Sequence, residues 1–394
     1  MELSLFNMDH GFAEALCRGF RSGFLGPEDY RRLGAADTME DMRSALEETD
    51  YGTFLQDEPS PILVSTIAKK CYEKLSDEFT YLKAQSVEPL TTFLEYIARE
   101  KMIDNLCMII QSALNGKAPH EMEEKIHPMG VWDSMKHIMA ETFDVSTGFD
   151  EVYRIFLIDT PIAPYFAEFL KEAGGSEEGG PLAEVSKDKV GSILTNQDLE
   201  IMKAMLKKAW LEDFYGFCSK YGGTTAEVMG HMLMLEADFR TLLVSFNSLN
   251  TALSSDGQRE EVRNALYPTF GYLYPEGFKM LKSAWNDTTV RGALEPYPKY
   301  SAIYEQVKEF YDTEGKERVS NLEGVQSIED VIYKDNVHEY EMAFEQQYHF
   351  GVFYAWVKLR EQEIRNIRWI ANMIVLQTKD HIDDTIVPIF HPRM

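Results

Sequence analysis

The sequence predicts an all-α protein built from three related helical lobes, and three observations lead there. Apolar residues recur at every third or fourth position through nearly the whole chain. Alternating apolar and polar runs bounded by hairpin turns are essentially missing. One amphipathic helical motif returns at three places, and 394 residues suggest two or three units of ordinary size.

In chain order, the clearest helix begins at Asp198, where Leu199, Met202, Leu206, Trp210, Phe214 and Phe217 form one core-facing stripe. Thr195 and Asp198 make a capping-box-like start, and Gly222-Gly223 supply residues able to adopt left-handed φ at the stop. A second start follows at once in Thr224-Thr225-Ala226-Glu227, predicting a helix to about Leu253 before the Asp256-Gly257 turn. Ser327-Ile328-Glu329-Asp330 opens a third pattern, which runs through Phe350, Tyr354, Val357, Ile364, Ile367 and Ile370 to about Thr378. That is too long for one straight helix, and Gly351 is the expected bend because Gly weakens a helix by about 1 kcal/mol relative to Ala. Residues 173–192 have too little apolar content to bury and too much Gly to hold a helix, so a surface loop is expected there. A shorter one is expected from Thr313 to Gly324.

The repeat matches Arg99-Glu100-Lys101-Met102-Ile103-Asp104-Asn105-Leu106 with Arg360-Glu361-Gln362-Glu363-Ile364-Arg365-Asn366-Ile367. Leu235-Glu236-Ala237-Asp238-Phe239-Arg240-Thr241-Leu242 is a weaker match between them. Each helix closes one block, which gives lobes at residues 1–116, 117–256 and 257–394. At about 100° per residue, Glu100 and Asn105 point in different directions and are not expected to share one core. Two readings of the repeat's charges stand side by side: solvated helix faces, or lobe-to-lobe ion pairs among Arg365, Asp238, Arg240 and Glu361, costly to break singly if buried.

Charge narrows the function classes. A net charge of −26 opposes binding to phosphate backbones or to an anionic membrane leaflet. The uncharged stretch from Thr241 to Ser255 falls short of the roughly 18 apolar residues a span requires and carries Asn247, Ser248 and Asn250. The N-terminal residues lack the basic and apolar regions of a signal peptide, so a cytosolic chain is expected, touching membrane only through protein partners. Cys17, Cys71, Cys107 and Cys218 lie far apart, without metal-binding spacing, and read as reduced core thiols.

Catalytic templates fail. The chain holds no phosphate-loop, dinucleotide-binding, nucleophile-elbow or H-E-x-x-H motif. Gly222-Gly223-Thr224 lacks the Lys and the strand that a phosphate cradle needs and reads as a helix cap. A carboxylate-bridged di-metal site needs two Glu-x-x-His pairs, and only Glu124 with His127 fits, directly before Pro128. Glu341, Glu345 and His349, at four-residue spacing on one helix face, are the remaining metal candidate, against a solvated face as the alternative. The aromatic run from His349 to Trp356 reads as core packing.

Longer motifs go further. Thr49-Asp50-Tyr51-Gly52-Thr53-Phe54-Leu55, Glu88-Pro89-Leu90 with Phe93-Leu94, Met102-Ile103-Asp104-Asn105, His127-Pro128-Met129-Gly130 and Asp159-Thr160-Pro161-Ile162-Ala163 occupy the first half. Gly222-Gly223-Thr224-Thr225-Ala226, Glu236-Ala237-Asp238, Leu273-Tyr274-Pro275-Glu276-Gly277, His349 to Ala355, Lys358 to Glu363, Arg365 to Ile370, Ile382-Asp383 and Val387 to Phe390 occupy the second. In this order, over nearly the whole chain, they resemble the subunit d family of V-type proton ATPases, which has more distant relatives in the archaeal-type ATPases. Residues 174–191 look like an insertion relative to that family, and Asn372-Met373 depart from its usual pair.

The resemblance implies a funnel of three quasi-equivalent lobes with pseudo-threefold symmetry, belonging to the membrane (Vo) sector on the cytoplasmic face of vacuolar or other endomembranes. It implies no catalysis and no cofactor. The implied partners are the proteolipid ring, the central-stalk rotor subunits and the large membrane subunit, with torque from ATP hydrolysis passing through this chain to the ring. Within the matched motifs the candidate coupling and structural residues are Asp159, Asp238, Arg240, Glu361, Glu363, Arg365, Asn366 and Trp369. A free-standing acidic helical scaffold and a di-metal enzyme remain the alternatives.

Overall fold

The computed structural model describes residues 2–114, 125–133, 135, 157, 159–172, 196–248, 262–311, 328–379 and 382–390. Among them every regular element is helical and no strand occurs. The expected loops at 173–192 and 313–324, and the Thr195 cap, lie outside the described residues. The chain divides into two compact units: residues 1–95, 223–229 and 315–394 form one, and residues 96–222 and 230–314 the other.

The helices of the N-terminal part are α1 (Glu2–Gly19), α2 (Pro27–Ala35), α3 (Met39–Glu47), the short α4 (Gly52–Leu55), α5 (Val64–Ala84) and α6 (Leu90–Leu114). Their starts follow local chemistry. In α3 the Thr38 hydroxyl accepts from the Asp41 amide while the Asp41 carboxylate accepts from the Thr38 amide, so the two residues satisfy each other's exposed donors. In α2, Pro27 opens the helix where its missing N–H costs nothing.

Next come α7 (Ala163–Glu172), α8 (Asn196–Tyr221), α9 (Gly223–Ser248), α10 (Glu276–Lys282), α11 (Asp287–Leu294) and α12 (Pro298–Tyr311). The predicted stripe of α8 is its core face: Leu199, Met202, Leu206, Trp210 and Phe214 are buried, and Phe217 is half-buried against the Tyr96 ring. The helix stops where Gly222 and Gly223 take φ of +82° and +58°, left-handed values open to Gly without a Cβ clash.

The chain closes with α13 (Ile328–Glu345), α14 (Gly351–Leu376) and α15 (Ile382–Thr385). The long C-terminal pattern is thus interrupted, as expected, and the interruption spans residues 346–350, with Tyr348 at φ +66° and Gly351 as the first residue of α14. Two contacts hold it. The Arg18 guanidinium donates to the carbonyls of Phe344 and Gln346, and the Phe350 amide donates to the Thr225 hydroxyl at 3.1 Å.

In the first unit α14 is the central helix, packed by α13, α5, α1, α3 and α15. The run from His349 to Trp356 is buried throughout, which bears out the core reading of those aromatics. In the second unit α7 lies against α8, and α10, α11 and α12 pack in succession. All four cysteines are buried free thiols. Among the described residues no helix is long and apolar enough to cross a membrane.

Candidate coupling residues

The buried face of α14 carries a ladder of polar side chains at three-residue steps. Arg360, fully buried, donates to the carbonyls of Gly23 (2.8 Å) and Phe20 (3.1 Å) and to Glu363 Oε1 (2.7 Å), with its guanidinium 4.0 Å from the Phe24 ring centroid. Glu363, equally buried, accepts from the Leu25 amide and the Tyr51 hydroxyl, both at 2.6 Å. Burial, reinforced by Glu363, pushes the Tyr51 hydroxyl well above its ordinary pKa, so it stays a donor. The pair therefore fixes the segment from Phe20 to Leu25 onto α14.

One turn further, Asn366 uses its whole hydrogen-bonding capacity. Its Nδ2 donates to the Val387 carbonyl (2.8 Å) and the Tyr30 hydroxyl (3.0 Å), while Oδ1 accepts from the Val387 amide (3.2 Å) and from Gln362 Nε2 (3.0 Å). Trp369 Nε1 donates to the Ile382 carbonyl at 3.1 Å, so the C-terminal segment is held at two points.

In the second unit Asp238 of α9 is a clamp. Fully buried, it accepts from the amides of Tyr272 (3.0 Å) and Leu273 (3.1 Å) and from the Tyr300 hydroxyl. Burial raises its pKa to about 6 against the opposing pull of those three donors. Gly271 sits beside it at φ +143°, and a Cβ there would come within 2.4 Å of Asp238 Oδ1, so the close approach requires Gly. Nearby in sequence, Arg240 pairs with Glu236 (2.6 Å) and Glu100 (3.6 Å). Buried Lys207 donates to Asp104 Oδ2 (2.7 Å) and the Glu100 carbonyl (3.0 Å). Burial works against the charge on Asp104, but Lys207 and Lys101 beside it hold its pKa below the usual value.

Two expectations need correction. Among the described residues Arg365 and Asp238 are not in the ion pairs expected of them: Arg365 lies over the Tyr333 ring 3.1 Å from its centroid, while Glu361 pairs with Lys358 of its own helix at 3.7 Å. Asp238 is held by neutral donors, and Arg240 reaches the Glu100 carboxylate on another helix. A motif that fixes charge positions along a helix does not fix what faces them. Glu100 and Asn105 are also both buried, on different sides of α6: one faces Lys207 and Arg240, the other His127. Their directions differ as expected, but α6 is enclosed on both sides.

The metal candidate comes apart. α13 ends at Glu345, so the helical register that would carry His349 to the same face is broken. Glu341 accepts from the Phe390 amide, Glu345 pairs with exposed Arg21, and His349 is buried in the interruption. Among the described residues no group of three or more His, Cys, Asp or Glu is placed to hold a metal ion. Glu124, the other candidate ligand, lies outside the described residues. Asp159 is exposed in the turn ahead of α7, where the Thr160 hydroxyl donates to the Leu157 carbonyl at 2.7 Å.

The repeat carries signals that the candidate set missed. Asn105 Nδ2 donates to the His127 carbonyl (2.9 Å) and its Oδ1 accepts from the His127 amide (2.8 Å), which is the bridge that Asn366 makes to Val387. Both bridged residues precede a proline, Pro128 and Pro388. Arg99 and Arg360, equivalent in the repeat, each contact a tyrosine hydroxyl that donates to a carboxylate: Tyr165 to Asp213 (2.7 Å) and Tyr51 to Glu363 (2.6 Å). A polar residue inside an apolar helical stripe, matched across the repeat, was the available clue to Asn105, Arg99 and Arg360.

Comparison with known proteins agrees over the full length. The family model described as ATP synthase (C/AC39) subunit matches residues 13–385. The probable V-type proton ATPase subunit d of Oryza sativa subsp. japonica is 39% identical over 389 residues, covering 99% of each chain. V-type proton ATPase subunit d of Dictyostelium discoideum is 39% identical over 388 residues, 98% of this chain and 97% of that one. The Saccharomyces cerevisiae subunit d is 32% identical over 388 residues, 98% of this chain and 99% of that one.

Proposed function

This chain belongs to the V-type proton ATPase subunit d family, and from that membership we propose that it joins the central rotor stalk to the proteolipid ring, so that ATP hydrolysis drives proton translocation. It is an accessory structural subunit of the rotary complex, distinct from the subunits that hydrolyse ATP. The observation that carries the reading is identity of 32–39% spread over 97–99% of the relatives' lengths.

In this reading the three blocks 1–116, 117–256 and 257–394 are lobes of a funnel with pseudo-threefold symmetry. The matching bridges of Asn105 and Asn366 support a duplicated unit. The partners are the proteolipid ring, the central-stalk rotor subunits and the large membrane subunit, at the cytoplasmic face of an endomembrane. Membrane attachment through proteins suits a net charge of −26, and the same charge complements a basic stalk end. A torque adapter must be stiff, and closely packed helices transmit strain well.

Burial divides the candidate residues by role. Asp238, Glu363 and Asn366 are at most 1% exposed and act by holding segments in place. Asp159, Arg240, Glu361, Arg365 and Trp369 retain exposure and are the candidates for touching partners. The test is affinity purification of the tagged chain from gently solubilised membranes. Recovery of proteolipid, large membrane subunit and ATP-hydrolysing subunits supports the adapter; recovery of the chain alone, with a harmless tag, leaves a free-standing scaffold.

A further inference from the structure

One face of α1 is fastened to the corner where α13 gives way to α14. Phe6 meets the rings of Tyr348 and Phe350, with centroids 6.3 Å and 5.7 Å away, and the His10 ring stands edge-on to Phe350 at 4.9 Å. Glu14 accepts from the Tyr348 amide at 3.3 Å and from Arg18 at 2.7 Å, and the same guanidinium donates to the carbonyls of Phe344 and Gln346. Cys17 Sγ donates to the Val352 carbonyl at 3.9 Å. The outer face of the helix carries exposed Leu5, Met8 and Phe12, so the inner face is what holds it.

Two histidines are enclosed in that contact. His10 is 4% exposed and packs against the Phe6 and Phe350 rings, and His349, next to Phe350 in the chain, is fully buried. Both surroundings favour the neutral ring. Burial lowers the pKa of His10 against the pull of Asp9. Burial, with the charge of Arg18 second, lowers that of His349 to about 4. Both ring nitrogens of His349 lie outside hydrogen-bonding geometry to any partner among the described residues, so the nearby backbone of Gln346 and Ala343 offsets only part of that cost. Other charges around the contact are committed: Glu14 to Arg18, Arg21 to Glu345, Glu78 of α5 to Lys74, and Arg360 of α14 to Glu363.

We propose that α1 is an acid-released strap: neutral His10 and His349 let it close on residues 344–352, and protonation of the two rings opens it. The sign follows from linkage. Each ring takes up a proton more readily once α1 lifts and water reaches it, so the closed form is fully favoured above the ordinary histidine value of 6.5 and loses ground as pH falls below it. With His349 at about 4 in the closed form, the open form gains about twentyfold between pH 7 and pH 5 from that ring alone, and His10 adds to it.

The test is amide hydrogen exchange of the full chain, read by mass spectrometry at pH 7, 6 and 5 with the intrinsic exchange rate at each pH divided out. Carboxylates of ordinary pKa stay ionised over that range. Exchange in residues 5–19 of the parent protein should quicken about tenfold or more from pH 7 to pH 5, while α8 changes little. In H10Q/H349Q, whose replacements stay neutral, the change in α1 should fall below about threefold. Acceleration equal in α1 and α8, no acceleration in α1, or acceleration that survives in H10Q/H349Q overturns the proposal. Should the double variant fail to fold, H10N and H349N are compared singly: each should remove part of the acceleration, and an unchanged response in both overturns the strap.

Discussion

Asn366 and Val387 hydrogen-bond to each other in both directions, Nδ2 to carbonyl at 2.8 Å and amide to Oδ1 at 3.2 Å, and Asn105 repeats that bridge with His127. In each case a buried helical amide replaces the backbone partner that an extended residue before proline lacks. Leaving such buried groups unpaired costs about 1–3 kcal/mol each. Asn366→Ala should therefore lower stability by about 2–6 kcal/mol through the two hydrogen bonds lost to Val387. Asn105→Ala should cost a similar amount. Denaturant unfolding monitored by circular dichroism checks both, and a change below about 0.5 kcal/mol, the range of neutral surface substitutions, would contradict the bridging role.

The Arg360–Glu363 pair, 2.7 Å apart and fully buried, invites a double-mutant cycle. Removing Arg360 leaves the Glu363 charge buried without its cation, and removing Glu363 leaves Arg360 with only the longer 4.0 Å contact to Glu78, so Arg360→Met or Glu363→Leu alone should cost about 3–5 kcal/mol. The double variant should cost clearly less than the two single losses together, because no charge is stranded. Strict additivity in urea unfolding would show that the two residues act independently.

Asp238 gives stability a pH dependence of defined sign. Its folded pKa, raised to about 6, lies above the unfolded value of 3.8, so the folded state binds the extra proton between those values. The contribution is fully present below the unfolded pKa and is lost as pH rises through 6, by at most about 3 kcal/mol. Asp238→Asn should flatten the unfolding free energy between pH 4 and 6 relative to the parent protein. An unchanged slope in that window would assign the titration elsewhere.

Gly130 and Gly216 should respond oppositely to alanine. At Gly130 a Cβ would lie 2.4 Å from the Lys101 carbonyl carbon and 2.7 Å from Asn105 Nδ2, so Gly130→Ala should destabilise by about 1–3 kcal/mol or more. At Gly216, within α8, nothing lies within 4 Å of the added carbon, and Gly216→Ala should stabilise by up to about 1 kcal/mol. Thermal unfolding of both variants makes the comparison, and like-signed shifts would contradict it.

These sites show how far the sequence reaches. Periodicity located α8 and its buried stripe, and the Gly222-Gly223 stop, because helix packing and left-handed φ leave marks on consecutive residues. The repeat located the helices bearing Asn105 and Asn366 for the same reason. Their partners lay beyond such reasoning, since His127 and Val387 are 22 and 21 residues away and the Tyr51 contact to Glu363 spans 312. Of the ion pairs expected among Arg365, Asp238, Arg240 and Glu361, those of Arg365 and Asp238 are absent among the described residues on the same ground: a linear pattern says which residues are charged, and only the packed helices decide whether a charge meets a ring, an amide or a carboxylate. The Glu341, Glu345 and His349 set failed locally, where the helix stops before the register completes.

The central claim concerns coupling, and the most direct measurement compares proton pumping with ATP hydrolysis in membrane vesicles depleted of this chain and then resupplied with it. The account predicts that depletion abolishes ATP-driven acidification while the detached ATP-hydrolysing part keeps its activity, and that added chain restores pumping. Acidification that proceeds undiminished without the chain would contradict it.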